Sequence, residues 1–207
     1  MRAISKAIVV TALVFSWVHG AQAAPFLFNA TLLGTNEFPT NTSPGTGSAI
    51  VTLDPALNTM RVQATFSNLV PLTAAGAPSG TTASHIHCCL ASPFLTGVNA
   101  GVATTTPTFP GFPLGVTSGS YDQTFDMLLL SSYNAPFVTA NGGTAASAEA
   151  ALFAGISAGE SYLNIHTNAF PGGEIRGFLV AVPEPFTLSL FGAGLAGAAM
   201  LRRRRRA

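Results

Sequence analysis

Residues 59–67 read Thr-Met-Arg-Val-Gln-Ala-Thr-Phe-Ser, and apolar side chains occupy every second position from Met60 to Phe66. Because the side chains of a β-strand alternate between its two faces, this pattern is typical of a strand with one buried and one exposed face. Residues 48–53 form a second such run, and residues 54–58 between them (Asp-Pro-Ala-Leu-Asn) are typical of a turn. We therefore predict a β-hairpin here.

Further strands are predicted on both sides of this hairpin, separated by turns rich in glycine and proline. They cover residues 26–33, 83–89, 121–130, 161–167 and 174–180. One short helix is predicted over residues 147–154, ended by Gly155 or Gly159. Short strands with such turns favour a single all-β domain built as an antiparallel sandwich.

The N-terminal residues have the pattern of a secretory signal peptide. Arg2 and Lys6 form a basic start, residues 7–18 are apolar, and Ala21-Gln22-Ala23 has the small-x-small pattern of a signal-peptidase site. The apolar run is shorter than the roughly 20 residues that a membrane span needs. We predict that residues 1–23 are a signal peptide removed by signal peptidase.

The C-terminal residues 182–207 have three parts. Pro183-Glu184-Pro185 is followed by an uncharged apolar segment, residues 186–201, and then by a cluster of five arginines: Arg202, Arg203, Arg204, Arg205 and Arg206. At about 1.5 Å per residue the apolar segment predicts a transmembrane helix roughly 24 Å long. The arginines act as a membrane stop and are expected to stay in the cytoplasm.

This order of residues resembles the PEP-CTERM sorting signal of Gram-negative, exopolysaccharide-producing bacteria. The resemblance implies an exported protein with an inner-membrane anchor, which an exosortase processes near Pro183-Glu184-Pro185. Delivery to the cell surface or extracellular matrix would follow.

The region between the two ends is acidic. The full sequence has a formal net charge of +1, but residues 24–182 contain two arginines, seven carboxylates and no lysine, which gives −5. A surface of this sign is unfavourable for polyanions, so nucleic acid is not an expected partner.

Residues 83–89 (Ala-Ser-His-Ile-His-Cys-Cys) hold two of the three histidines that follow the signal peptide, and the third is His166. On a strand, His85 and His87 point to the same face and can share a metal ion if His166 approaches from another strand. Three neutral imidazoles suit one Cu or Zn ion, with water or substrate completing the shell. The alternative is a structural network in which these imidazoles hydrogen-bond to neighbours and brace two strands.

The two cysteines leave three alternatives open. Cys88 and Cys89 are adjacent in a protein predicted to reach an oxidising compartment. They form a vicinal disulfide with each other, or form a disulfide with another molecule, or Cys89 stays free and is an additional soft ligand of the metal ion. The third alternative arises because Cys89 has the same strand parity as His85 and His87. Strand alternation disfavours the vicinal bridge, because it turns neighbouring side chains to opposite faces.

Three charged residues are candidates for supporting roles. Glu174 and Arg176 share strand parity, so Glu174 is expected either to pair with Arg176 or to orient an imidazole from outside the ligand shell. Glu37 precedes Pro39 in a predicted loop and is expected to accept backbone hydrogen bonds there.

Three motifs in order resemble the CHRD domain, which is named for its repeats in chordin and is widespread in exported bacterial proteins. They are residues 34–39 (Gly-Thr-Asn-Glu-Phe-Pro), 83–87 (Ala-Ser-His-Ile-His), and 162–167 (Tyr-Leu-Asn-Ile-His-Thr) leading into 171–177 (Pro-Gly-Gly-Glu-Ile-Arg-Gly). The resemblance covers the domain that we place at residues 24–181 and implies an immunoglobulin-like, Greek-key β-sandwich. It implies no particular bacterial function.

The chain is also distantly similar to copper/zinc superoxide dismutases, which have a Greek-key sandwich. His85 and His87 resemble their first pair of copper ligands, His166 resembles a later ligand, and Arg176 resembles the arginine that guides the anion. No further histidine follows the signal peptide, so the similarity implies at most a mononuclear centre.

Two functions follow from these patterns. The first is a non-enzymatic module of the cell surface or extracellular matrix that binds exopolysaccharide, a matrix protein or a metal. The second is a mononuclear copper or zinc protein that uses His85, His87 and His166 as ligands. Whether such a centre is redox-active is left open by the sequence. The sequence holds no Ser-His-Asp arrangement, phosphate-binding glycine loop or EF-hand pattern. Binding is therefore favoured over catalysis, although enzymatic activity stays an open question.

Overall fold

A computed structural model of the chain describes residues 24–71 and 80–183, together with Gly194, Leu195 and Arg202. Its eight strands are β1 (Phe26–Leu33), β2 (Thr46–Asp54), β3 (Thr59–Ser67), β4 (Thr81–His87), β5 (Gly119–Asp126), β6 (Tyr162–Thr167), β7 (Ile175–Phe178) and β8 (Val180–Ala181). Within the described residues 24–71 and 80–183 the α-helices are α1 (Ala135–Ala140) and α2 (Ala145–Ser157).

All strand pairs are antiparallel and belong to one sheet. The strand order is β4-β6-β7-β1-β2-β3-β5, and the short β8 pairs with β1. The predicted hairpin is β2 and β3, with Asp54 opposite Thr59 at the turn. Because this pairing starts at the turn, the alternating apolar residues of both strands fall on the same face.

The apolar face of the sheet encloses a single core. Met60 and Val62 of β3 are fully buried, and they belong to the same hydrophobic cluster as Ile86 of β4 and Leu163 of β6. Since β3 and β4 lie near opposite ends of the strand order, the sheet must curl to bring these residues into one core. Leu152 and Ile156 of α2 also pack into this cluster.

The structure confirms an all-β, antiparallel domain. Its architecture is sandwich-like, because distant parts of the sheet face each other across the core. The predicted immunoglobulin-like, Greek-key sandwich would consist of two separate sheets. In this domain, hydrogen bonds instead join the strands into one curled sheet. The cause is β7, which pairs with both β6 and β1 and so links the two halves.

The helical part of the prediction needs two corrections. Helix α2 runs through Gly155 and ends before Gly159, which has a φ of +75°. It begins at a capping box in which the Thr144 side chain accepts a hydrogen bond from the Ser147 amide. A second helix, α1, precedes it. Its six residues are too few to produce a recognisable helical period in the sequence.

The predicted signal peptide (1–23) lies outside the described residues. Glu184 and Pro185 of the sorting motif, most of the predicted span and the arginines after Arg202 also lie outside them. Within the part of the chain that the structure describes, no helix is both long and apolar enough to cross a membrane.

Candidate metal centre

The pairing of β4 with β6 brings the three histidines together. His85 lies opposite Asn164, His87 lies opposite Tyr162, and Ala83 lies opposite His166. Cross-strand partners in an antiparallel pair project from the same face of the sheet. His166 is therefore a diagonal neighbour of His85 on the face that His85 and His87 share.

The ligand atoms of the three imidazoles converge. The Nε2 atoms of His85 and His166 lie 3.0 Å apart, and one nitrogen from each of the three rings lies within 4.8 Å of the others. Tetrahedral zinc with Zn–N bonds of about 2.0–2.1 Å holds its nitrogens roughly 3.3 Å apart. One pair is already near this separation, and the third nitrogen lies within 4.8 Å of both.

Backbone carbonyls fix the tautomers of two of these rings. His87 Nδ1 lies 2.7 Å from the Ala100 carbonyl oxygen, and His166 Nδ1 lies 2.8 Å from the Pro171 carbonyl oxygen. Since a carbonyl only accepts hydrogen bonds, each Nδ1 carries the hydrogen and donates it. The Nε2 lone pairs of His87 and His166 are therefore available to an ion, and the carbonyls act as the outer partners that metal-ligating histidines usually have.

Burial keeps the imidazoles neutral. Desolvation lowers the pKa of His85 to about 3, and the neighbouring His87 and His166 rings add to this effect. Desolvation also lowers the pKa of His87 to about 4 and lowers the pKa of His166. Neutral imidazole is the form that binds metals, so the cluster needs no deprotonation before an ion enters at neutral pH.

His87 Nε2 and His85 Nδ1 are the two ring nitrogens of the cluster that lack a hydrogen-bond partner among the described residues. His87 is 9% exposed, and its Nε2 is buried with no hydrogen-bond partner among the described residues. A buried polar atom without a partner costs about 1–3 kcal/mol. Its environment therefore lacks one group, either a proton donor or a cation.

A stack of side chains supports His87 from β6 and β7. The His87 ring lies parallel to the Tyr162 ring, with centroids 4.7 Å apart, and the Arg176 guanidinium lies 4.4 Å from the Tyr162 centroid. The positive charge of Arg176 contributes to the lowered pKa of His87, after desolvation and the His166 ring. Tyr162 thus orients one ring of the cluster and separates it from the buried cation.

Arg176 has structural partners. It is 1% exposed and donates hydrogen bonds to the Asn36 carbonyl and to Asn99 Oδ1 at 2.8 Å. Its Nε also lies 3.8 Å from Glu37 Oε2. An arginine committed to these partners cannot guide a soluble anion, so that expectation from the dismutase similarity does not fit.

Glu37 is the acidic partner that sequence reasoning missed. Burial raises its pKa to about 7, while Arg176 and hydrogen bonds from the Phe38 backbone and Asn164 act in the opposite direction. The Phe38 backbone is close enough to lower the pKa of Glu37, and the contact with Arg176 was not foreseen. Gly173 permits this arrangement: it has a φ of +129°, and a Cβ there would lie 2.5 Å from Glu37 Oε1.

The expectation for Glu174 is corrected. Its carboxylate accepts hydrogen bonds from Ser43 Oγ at 2.5 Å, the Val70 amide at 2.7 Å and Thr167 Oγ1 at 2.5 Å. It therefore neither pairs with Arg176 nor contacts an imidazole. The physical reason is that β7 begins at Ile175, so strand alternation does not extend to Glu174.

The expectation for Cys89 is corrected for a similar reason. Strand β4 ends at His87, and Cys88 and Cys89 form a disulfide with each other. A disulfide sulfur is not a thiolate and is no longer a soft ligand of the expected kind. The disulfide packs on α2, where Gly155 leaves room for both sulfurs.

The loop between β4 and β5 contributes residues to the site that no sequence pattern had indicated. Val98, Asn99 and Ala100 supply contacts to Arg176 and His87. Asn164, by contrast, lies two residues before His166 in the same strand. Its parity was a usable indication that it shares the histidine face.

Comparison with protein families gives two matches. Residues 28–179 match the CHRD domain, and residues 181–206 match the PEP-CTERM protein-sorting motif. The second match indicates an exported protein of a Gram-negative bacterium that an exosortase processes. Comparison with curated proteins and with solved structures gives no match.

Proposed function

This chain belongs to the CHRD domain family, and from that premise we propose that it is an exported surface protein that binds one copper or zinc ion. The ligand residues are His85, His87 and His166, and each uses Nε2, because Nδ1 of His87 and of His166 is bound to a backbone carbonyl and Nε2 of His85 faces Nε2 of His166. An exosortase sorts the protein to the cell surface or extracellular matrix. The proposed function is metal binding. Two of the three imidazoles are buried, so an ion enters most easily beside the partly exposed His166.

The observation that carries this proposal is the state of His87 Nε2. Its ring hydrogen is committed to the Ala100 carbonyl through Nδ1. Nε2 therefore presents a buried lone pair that makes no hydrogen bond of normal geometry, although the Asn164 side chain lies close enough to raise the pKa of His87. A structural hydrogen-bond network would satisfy this atom, because buried polar groups are almost always paired. A metal ion at the centre of the cluster satisfies it instead.

The contact between His85 and His166 is compatible with metal entry. Since the hydrogen of His166 is on Nδ1, the hydrogen bond between the two Nε2 atoms uses a hydrogen from His85 Nε2. An ion can bind His85 Nε2 after this hydrogen moves to Nδ1. The Pro107 carbonyl is close enough to the His85 ring to raise its pKa, and Nδ1, which has no hydrogen-bond partner among the described residues, is free to take this hydrogen.

Metal analysis of protein exported to the periplasm tests this proposal, with copper and zinc supplied separately. We expect about one ion per chain in the unmodified protein and a loss of most of the metal in His87→Ala and His166→Ala. His166 is only partly buried, so its variant is the less demanding one for folding, and circular dichroism confirms that both variants fold.

Two controls are matched to this experiment. Cys89→Ser removes the disulfide, and Asp122→Asn removes a surface carboxylate that pairs with Arg61. Both are expected to retain the metal. Equal metal content in the unmodified protein and the two folded histidine variants would overturn the proposal.

A second candidate function is polysaccharide binding, and a groove on the outer face of the sheet favours it. The groove measures about 400 Å³, is open to solvent, and is lined by Ile50, Ala64 and Tyr121 together with hydroxyl, amide and carboxylate side chains. These polar side chains include Ser48, Gln63, Thr65, Ser120 and Asp122. Such groups exchange hydrogen bonds with sugar hydroxyls, and they suit the matrix destination that the sorting motif implies.

Co-sedimentation with exopolysaccharide from the producing strain tests this second function. We expect the protein to bind and the double variant Gln63→Ala/Thr65→Ala to bind at least fivefold more weakly, since it removes hydrogen-bonding groups from the groove. His166→Ala, on a different part of the sheet, serves as the control and is expected to bind normally. Absence of binding by the unmodified protein would contradict this function.

A further inference from the structure

Seven of the twelve exposed large apolar side chains within the described residues 24–71 and 80–183 lie at one end of the sheet. Leu57, Leu128, Leu129 and Leu130 are each between 53% and 62% exposed. Phe26, Leu27 and Val180 are between 37% and 47% exposed. We call these seven residues the apolar rim.

Strand register places the members of the apolar rim together. Phe26 pairs with Leu53 at the end of β2, and the turn that carries Leu57 follows directly. Thr59 pairs with Asp126 at the end of β5, and the three leucines 128–130 follow that strand. The Met127 amide donates to the Asn58 carbonyl at 2.8 Å, which joins these two groups.

The chain leaves the domain at the same end. Strand β8 pairs with β1, and the Val182 amide donates to the Leu27 carbonyl at 2.8 Å. In the order β8-β1-β2-β3-β5, four spacings of about 4.8 Å place the exit within roughly 20 Å of the three leucines. The PEP-CTERM motif begins here, at residue 181.

We propose that, before exosortase processing, the apolar rim rests on the phospholipid surface of the periplasmic leaflet of the inner membrane. This inference relies on the membrane anchor that the sequence predicts at residues 186–201, and it is independent of the metal centre. Two residues, Glu184 and Pro185, separate Pro183 from that anchor, and the three residue steps from 183 to 186 span at most roughly 10 Å at about 3.5 Å per residue. An anchor this short holds the exit end of the domain against the bilayer.

The chemistry of the apolar rim suits the acyl–headgroup boundary. Leucine and phenylalanine are the side chains that interfacial segments bury there. The nearby carboxylate of Asp54 accepts hydrogen bonds from the amides of its own turn, and that of Asp126 does the same. With no basic residue in the apolar rim, the contact is apolar and needs no anionic lipid.

Fluorescence quenching by brominated phospholipids tests this inference on the full chain reconstituted in vesicles of phosphatidylethanolamine and phosphatidylcholine. Trp17 is the single tryptophan and is replaced by phenylalanine. One probe is then introduced as Leu129→Trp in the apolar rim. The matched control is Leu114→Trp, because Leu114 is 51% exposed and lies beyond the opposite end of β5.

We expect brominated acyl chains to lower the fluorescence of the Leu129→Trp probe at least twofold and to leave the Leu114→Trp probe unchanged. Equal quenching of both probes, or quenching of neither, would overturn the inference. A probe at position 129 that is shielded from aqueous iodide but not quenched by lipid would also overturn it, since a second copy of the chain would then cover the apolar rim. None of these outcomes depends on metal content, so the inference and the metal proposal fail separately.

Discussion

Glu37 and Arg176 form a buried ion pair beside the histidine cluster. Glu37 is 4% exposed and Arg176 is 1% exposed. The effect of burial on the carboxyl group is larger than the opposing effect of the arginine charge, and it raises the pKa of Glu37 from 4.5 to about 7. The folded protein therefore holds a proton that the unfolded chain releases between these two pH values.

The sign of the resulting pH dependence follows from linkage. Because the folded state binds more protons than the unfolded state in this window, the contribution of Glu37 to stability falls as the pH rises from about 4.5 to about 7. A shift of this size corresponds to roughly 3 kcal/mol. In the Glu37→Gln variant the side chain is neutral at every pH. The decrease in stability that Glu37 causes between pH 4.5 and 7 is therefore expected to be absent from this variant.

Urea unfolding of both proteins at pH 4.5 and 7.5 measures the difference. The stability of Glu37→Gln relative to the unmodified protein is expected to rise by about 3 kcal/mol over this range. The histidines contribute with the opposite sign, because their lowered pKa values make the fold lose stability as the pH falls below 6.5. This contribution cancels in the comparison, since both proteins contain them. An unchanged difference at the two pH values would contradict the buried state of Glu37.

At the scale of single elements, β4 shows which features of the site can be predicted from the sequence and which cannot. Alternation along a strand is a local property, so the shared face of His85 and His87 could be predicted. The approach of His166 depends on the register of β6 against β4, which no local pattern determines. Cys89 and Glu174 were misplaced for one reason: each lies just outside the strand whose alternation was applied to it.

The contact between α2 and the disulfide gives a prediction at this scale. Glycine inside a helix normally costs 0.5–1 kcal/mol relative to alanine, so Gly155→Ala would ordinarily stabilise α2. Here the new Cβ would lie 2.5 Å from the Cys89 sulfur and closer still to the Cys88 sulfur. We expect Gly155→Ala to destabilise the protein by about 1–3 kcal/mol in urea unfolding.

A double-mutant cycle provides the control for this prediction. In a Cys88→Ala/Cys89→Ala background the two sulfurs are absent, and the remaining Cys89 Cβ position lies at an ordinary 3.5 Å. Gly155→Ala is then expected to be neutral or stabilising. If it destabilises both backgrounds equally, the disulfide does not pack on Gly155.

At the scale of the whole molecule, the prediction of an all-β domain succeeded because β1, β2, β3 and β5 each have one exposed or half-exposed face, whereas β4, β6 and β7 are mostly buried on both faces. In the first group alternation is visible in the sequence, as in β3. The continuity of the sheet could not be predicted, because it depends on the pairing of Leu33 in β1 with Arg176 in β7, far apart in the chain. The same closure creates the pocket for Glu37 and Arg176, so the part of the site that was missed is the part that depends on this long-range pairing.

The candidate metal centre and the apolar rim lie on different parts of the domain. The apolar rim and the chain exit occupy one end of the sheet, while the histidines lie on the face of β4 and β6. An ion can therefore bind before or after exosortase processing, because the two sites share no residue.

Anomalous diffraction from crystals of the zinc-loaded or copper-loaded protein tests the central claim most directly. The predicted result is one strong peak about 2.0–2.1 Å from Nε2 of His85, His87 and His166, with the Nδ1 hydrogen bonds to Ala100 and Pro171 retained. A structure of the metal-soaked protein with no peak among these three nitrogens, or with the metal bound only elsewhere, would contradict the claim.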